Sequence, residues 1–378
     1  MPDNTPHSEL KLPRTQAAIR RGMAEGLHTG AQLFATIAGQ PVADLALGDS
    51  REAIIGQPAA LMTSDTIVLW LSSTKPVVAA VVMQLVEAGR LQLDRPVADW
   101  IPAFAVGGKE SITPRHLLTH TGGFRFVDVG WPETGWEEII ARISAAKVER
   151  DWVVGQTAGY HPFTSWYILG ELVRIAAGQR LPEYVRQHVL EPLGMLDCWI
   201  GMPRDTWRAY GNRVAKLIDT ERPQHAPFRY ANEQGATDCI PGGNGVGPLR
   251  ELVRFYEMLL GGGQRGGVRI LSPESVRLMT TRQREGIFDL TFKRTIDWGL
   301  GMIIDSKRYG IENVPYGYGR YASDRTFGHG GSQSSVGFAD PDRQLAVGCY
   351  FNGMPGEPAH QKRLRAVLDA LYEDLGLA

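Results

Sequence analysis

Leu71-Ser72-Ser73-Thr74-Lys75-Pro76 is the stretch of this chain best suited to chemistry. It holds Ser-x-x-Lys, a hydroxyl and an amine three residues apart, and residues three apart on a helix share a face. Lysine in an apolar setting has a lowered pKa and can take a proton, here from the Ser72 hydroxyl. A helix N-terminus adds unpaired N–H groups and positive potential, which suit a developing oxyanion. Ser-x-x-Lys is an acyl-transfer motif. The tetrapeptide also occurs by chance, and serine is a common helix cap. Position raises its weight, because it follows the short β-branched run Thr66–Leu71 and opens the most apolar helix of the chain. Ser73 is the rival nucleophile but has no lysine three residues on.

Other residues are weighed in the same way. His116 and His120 stand four apart, as in a metal pair, but lack a third ligand and a glutamate partner, so no metal is expected. No cofactor is expected either, because no dinucleotide or Walker glycine motif sits between a strand and a helix. A Gly-x-Ser-x-Gly elbow is absent, as are Ser-Asp-Asn and Lys-Thr-Gly. Two aromatic loops stand out: Gly122–Trp136 with Phe124, Phe126, Trp131 and Trp136, and a glycine-rich loop with Tyr316, Tyr318 and Tyr321. They either pack their own loops or line an aromatic acyl or alcohol pocket, with Trp131, Phe124 and Tyr318 as substrate contacts.

The elements around these residues follow from pattern. Residues 1–13 read as a loose tail and 14–28 as an amphipathic helix. Leu33–Ala38 and Val42–Leu47 read as strands joined by a Gly-Gln-Pro turn. Residues 73–89 form a helix apolar all round, hence a core helix, with Pro76 in its first turn. Helices follow at Arg115–Thr119, 165–178, 182–190 and 248–260, then short strands at Gly299–Asp305, Thr326–Gly328, Val336–Ala339 and Leu345–Phe351, and a last helix at His360–Leu375. The expected fold is α+β. Residues 14–70 and 290–378 form one discontinuous lobe, an antiparallel sheet flanked by terminal helices. Residues 71–289 form a mainly helical inserted lobe, and the site lies in the cleft between the two.

The chain has 378 residues with 40 Lys and Arg against 41 Asp and Glu, a formal net charge of -1. No basic field exists for a phosphate backbone, which argues against nucleic acid. The longest apolar run, Val77–Met83, is far too short to span a bilayer. Three separated cysteines and an N-terminus without an apolar region lead to the expectation of a cytoplasmic protein.

These blocks together resemble the serine β-lactamase-like superfamily, nearest to class C β-lactamases and family VIII carboxylesterases. Besides Ser72-x-x-Lys75, the resemblance rests on Ile112-Thr113-Pro114-Arg115-His116-Leu117-Leu118-Thr119-His120-Thr121-Gly122-Gly123, Glu191-Pro192-Leu193-Gly194-Met195, the glycine-rich Pro241–Gly247 and Phe327-Gly328-His329-Gly330-Gly331. It implies a β-lactamase/transpeptidase-like fold and a serine hydrolase working through an acyl-enzyme. Ser72 would attack, and Lys75 and Tyr160 would share the proton, a tyrosinate beside an ammonium being one form of the base. The backbone N–H groups of Ser72 and Ser332 would form the oxyanion hole. His329 would hydrogen-bond near Tyr160, and His329, Gly330, Gly331 and His161 would shape the substrate site. The family's Tyr-x-Asn reads here as Tyr160-His161-Pro162, and its Lys-Thr-Gly as His329-Gly330-Gly331. Proline lacks the side-chain amide that helps bind a β-lactam, and loss of the lysine weakens carboxylate recognition. Both changes favour small neutral esters or amides as substrate. A β-lactamase, a D-amino-acid peptidase, a transacylase and a binding protein on an inactive hydrolase fold are the alternatives. Oligomeric state stays open.

Overall fold

The structure is a computed structural model that describes residues 12–51, 59–222, 227–311, 315 and 317–378. Residues 1–11 of the expected tail, and Tyr316, lie outside the described residues. Leu12 is not loose: it is buried, and Pro13 starts the first helix, Pro13–Ala24.

One seven-stranded sheet runs in the order Ile303–Ile304, Phe327–Gly331, Ser335–Asp340, Leu345–Phe351, Gly30–Ile37, Gln40–Arg51, Ala60–Leu61. Every pairing in it is antiparallel. Early and late segments meet at its centre, where Leu33 sits opposite Cys349. Strand alternation divides the side chains between two layers. Ala31, Leu33, Ala35 and Val347 join one core cluster with Ile19, Leu364 and Leu368 of the terminal helices Pro13–Ala24 and Glu357–Asp374. Phe34, Ala346 and Tyr350 belong to the other, with Val253 and Tyr256.

Those last two residues stand on the helix Leu249–Leu260, which sequence pattern grouped with the helical lobe. It packs on the sheet instead. Gly348 and Gly337 leave room for it, since a Cβ at Gly337 would come within 2.5 Å of the Tyr256 ring. The first hairpin also turns one residue earlier than expected. Ala38 and Gly39 both take positive φ between Ile37 and Gln40, the two-residue turn that matches strand twist. Gly299–Asp305, expected as a strand, pairs with the sheet only at Ile303–Ile304.

The helix Lys75–Glu87 is buried on all sides, Val77 to Met83 each at 1% exposure or less. It shares its core with the helix Thr164–Ala177, whose Ile168, Leu169, Leu172 and Val173 are equally buried. Short segments tie this layer to the strand Val68–Leu71, which pairs with Gly245–Gly247 rather than with the main sheet.

A buried ion pair anchors the loops between. Arg284 and Asp289 lie 3.1 Å apart with side chains 1% and 0% exposed. Arg284 also donates to the carbonyls of Thr119 and Ile296. Removing one member of such a pair strands a buried charge. Arg284→Met is therefore expected to lower unfolding free energy by about 3–5 kcal/mol in urea titrations followed by circular dichroism. A loss below about 1 kcal/mol would contradict this account.

Candidate active site

Ser72 stands where strand becomes helix. Val68–Leu71 ends at Leu71, whose φ of 51° and ψ of −132° are strained for a residue with a Cβ. Ser72–Thr74 then form one 3₁₀ turn before the α-helix begins at Lys75. Side chains three apart eclipse in a 3₁₀ turn. Lys75 Nζ accordingly lies 2.9 Å from Ser72 Oγ. Tyr160 OH reaches the same oxygen at 2.6 Å.

The surroundings hold this triangle rigid. Thr74 Oγ1 donates back to the Leu71 carbonyl and accepts from Gly245 N–H. Ser73 is fully buried and its hydroxyl donates to the His329 carbonyl, so the rival nucleophile is a stitch between helix and sheet. Ser335 Oγ donates to the Trp70 carbonyl. Gly331 is needed for this approach, because a Cβ there would come within 2.2 Å of the Trp70 carbonyl oxygen. On the far side, Asp289 accepts from the N–H groups of Tyr160, Thr291 and Phe292.

Lys75 is completely buried and its Nζ has two further neighbours, the carbonyls of Pro162 at 2.9 Å and Gly242 at 2.6 Å. No carboxylate offsets its charge among these contacts. Burial holds its amine well below the usual lysine range. Burial pushes the Tyr160 phenol up, and the negative charges of Asp289 and Glu357 add to that. Burial thus disfavours the charged form of each group. A neutral amine has two N–H donors and one lone pair. Here Nζ donates to three oxygens, the two carbonyls and Ser72 Oγ, so in the neutral form one of these contacts is made by the lone pair.

A cavity of about 310 Å³ opens above Ser72. Its wall includes Leu71, Phe163, Phe228, Tyr230, Phe292 and Glu357, and Gly330 and Ser332 border it as well. Among the described residues no group of three or more His, Cys, Asp or Glu could hold a metal ion. His116 instead closes a capping box with Thr113, and His120 Nδ1 accepts from His161 N–H.

The sequence profile of the Beta-lactamase family matches residues 15–372 of this chain, nearly its whole length. The chain belongs to the Beta-lactamase family. It is 25% identical over 350 residues to the esterase/β-lactamase LipL of Mycobacterium tuberculosis (strain ATCC 25618 / H37Rv), covering 85% of this chain and 77% of LipL. A crystal structure of a family VIII carboxylesterase superposes with a TM-score of 0.78 at 27% identity, covering 97% of this chain and 98% of that one. A penicillin-binding protein homologue from Caulobacter crescentus gives a TM-score of 0.76 at 27% identity over 96% of this chain and 97% of that one.

Within this Beta-lactamase-family site, several expected contacts fall elsewhere. His161 is fully buried and its Nε2 accepts from the N–H groups of Gly123 and Phe124. Burial lowers it to about 3, so it is a neutral acceptor that holds a loop. In the extended run Tyr160-His161-Pro162 it points away from the cavity that its two neighbours line. Phe124 is 1% exposed and packs edge-on against Phe104 and His161. Tyr318 lies in the core under the terminal helices, with its hydroxyl on the Ile303 carbonyl. Trp131 lines a separate cavity of about 580 Å³ and meets Tyr230 of the Ser72 cavity as a tilted ring at 4.8 Å. The His329 ring is buried, with Nδ1 2.7 Å from the Gly330 carbonyl oxygen. It meets Tyr160 as a tilted ring at 5.8 Å, not through the expected hydrogen bond.

Sequence pattern missed Phe163, Phe228, Tyr230, Phe292 and Glu357. Phe163 could have been found three residues from Tyr160. Phe228 and Tyr230 sit in a loop without periodicity, where nothing in the sequence reports which way a ring faces.

Proposed function

We propose that this serine hydrolase is a carboxylesterase or amide hydrolase of small acyl substrates, acting through an acyl-enzyme on Ser72. The observation that carries this reading is the convergence of Lys75 Nζ and Tyr160 OH on one serine oxygen at 2.9 and 2.6 Å beside an open cavity. Tyr160 and Lys75 both donate to Ser72 Oγ, and with Lys75 deprotonated the Ser72 hydroxyl turns its proton to the amine. Lys75 takes the serine proton as Ser72 attacks the carbonyl carbon. The oxyanion sits between the backbone N–H groups of Ser72 and Ser332, both at the cavity wall. As the tetrahedral intermediate collapses, Tyr160 passes its proton to the departing oxygen or nitrogen and is reprotonated from Lys75. Water then attacks the ester on Ser72 with the same groups in reverse.

Two features support esters and amides over β-lactams. Pro162 supplies only a main-chain carbonyl, and Lys75 occupies it. His329 is buried, lowered by its burial to about 3, and so offers no charge to a carboxylate. The substrate is read as a small molecule, with neither nucleic acid nor membrane as partner. Among the described residues no helix is long and apolar enough to cross a membrane. A cytoplasmic location is proposed with it, supported by the free thiols of Cys198, Cys239 and Cys349.

Turnover of p-nitrophenyl butyrate and of a chromogenic cephalosporin, measured side by side, tests the reading. Ester turnover far above cephalosporin turnover is expected. The reverse order would replace it with the β-lactamase alternative.

A further inference from the structure

We infer that Arg363, acting through Gln333, is a positioning residue of the oxyanion hole: it holds the turn that presents the Ser332 N–H to the substrate. The inference rests on the hydrolase reading above and concerns what keeps one half of that hole in place.

Ser332 and Gln333 are the two central residues of the tight turn between the strands Phe327–Gly331 and Ser335–Asp340, closed by Ser334 N–H on the Gly331 carbonyl at 3.0 Å. Gln333 has a φ of 51°, a left-handed conformation uncommon for a residue with a Cβ. Such a residue persists where its surroundings over-determine it. Both of its oxygens are held. Arg363 Nη2 donates to the main-chain carbonyl at 3.0 Å, and Gly356 N–H donates to the side-chain Oε1 at 2.6 Å. Ser332 Oγ also lies 3.4 Å from Glu357 Oε1. The turn therefore hangs on the helix Glu357–Asp374 and on the residue before it. Rotating the Gln333 backbone out of this conformation would redraw the turn and move the Ser332 N–H with it.

Stability alone does not explain Arg363. The residue is 4% exposed, and the Phe351 ring lies 4.2 Å from its Cζ. Nη1 reaches the Leu27 carbonyl at 2.6 Å and His28 Nδ1 at 3.1 Å. Besides Gln333, Nη2 reaches the Gly353 carbonyl and His360 Nδ1, each at 3.0 Å. None of these acceptors is a carboxylate, and a buried cation without one is costly. A ring nitrogen accepts only when it carries no proton. Burial lowers His28 to about 3 and lowers His360 as well, which keeps both imidazoles neutral. Arg363, lowered by burial to about 9, stays charged at neutral pH. Its acceptors come from the segment before the first sheet strand, from the residues after Leu345–Phe351 and from the turn at Ser332. A planar fork spans such a set, and a point charge does not.

The test compares p-nitrophenyl butyrate with its thionoester, in which sulfur replaces the carbonyl oxygen. A thiocarbonyl sulfur is larger and a weaker acceptor, so a well-placed oxyanion hole favours the ester. In the wild type the ester-to-thionoester ratio of kcat/KM is expected to be on the order of a hundredfold. Arg363→Met is expected to lower kcat/KM for the ester about 10–100-fold and to shrink the ratio about tenfold. Arg363→Lys keeps the charge without the fork and should shrink the ratio about threefold. Gln333→Gly tolerates positive φ, releases only the Gly356 N–H and should also shrink it about threefold. Endpoint fluorophosphonate labelling counts the active molecules, and a loss of folded protein alone leaves the ratio unmoved. An unchanged ratio in Arg363→Met would overturn the inference while leaving the hydrolase reading in place. So would an unchanged ratio in Arg363→Lys and Gln333→Gly where the methionine variant does not fold, or a wild type without preference for the ester. Failure of the wild type to turn over p-nitrophenyl butyrate or to label at Ser72 would overturn both.

Discussion

Replacing Lys75 by methionine is expected to cut kcat/KM for p-nitrophenyl butyrate by roughly 10³-fold while the protein still folds. Methionine fills most of the buried volume and has no group that takes a proton. The folded state even sheds a cost, because an amine in this position is 0% exposed and has no carboxylate among its hydrogen-bond partners. The pH profile gives a second readout. Burial depresses the Lys75 pKa, so the neutral, active amine exists above that depressed value and is lost as pH falls through it. Wild-type kcat/KM should therefore drop tenfold per unit on its acid limb, and residual activity of Lys75→Met should lack that limb. Stopped-flow or steady-state p-nitrophenol release from pH 4 to 9 checks both. A residual rate within tenfold of wild type would remove Lys75 from the role of base.

Tyr160→Phe is the second large effect, about 10²-fold or more, and its size should depend on the leaving group. The ring itself is secured by packing against Trp298, Phe292 and His120, so phenylalanine keeps the fold. What disappears is the hydroxyl 2.6 Å from Ser72 Oγ. If that hydroxyl delivers the proton to the departing atom, ethyl butyrate and butyramide suffer more than p-nitrophenyl butyrate, whose phenolate leaves without one. An equal loss across the three substrates would make Tyr160 a residue that positions Ser72 and no more.

Much of this site was legible because its decisive spacing is local. Ser72 and Lys75 are three residues apart, and the all-apolar helix behind them could only be buried. The strand Leu345–Phe351 was readable to the residue, because it is a continuous run without a charged side chain, the pattern of a strand buried on both faces. Residues that meet through long-range contacts were not readable. Arg284 and Asp289 look in sequence like any other surface charges, and only the fold reveals that they are buried together and hold Tyr160 in place. His161 misled because adjacency to Tyr160 suggests a shared cavity, whereas extended backbone sends neighbours to opposite sides. Phe124 and Tyr318 misled because aromatic loops serve cores more often than pockets. The helix Leu249–Leu260 was assigned to the wrong layer because its apolar stripe states that it is buried and not against what.

The most direct test is intact-protein mass spectrometry after brief mixing with p-nitrophenyl butyrate, followed by acid quench and peptide mapping. The account predicts a butyryl adduct on the peptide that contains Ser72, formed within the burst of p-nitrophenol. It predicts no adduct and no turnover in Ser72→Ala. An adduct on any other side chain, or undiminished turnover in Ser72→Ala, would contradict the assignment of Ser72 as the nucleophile.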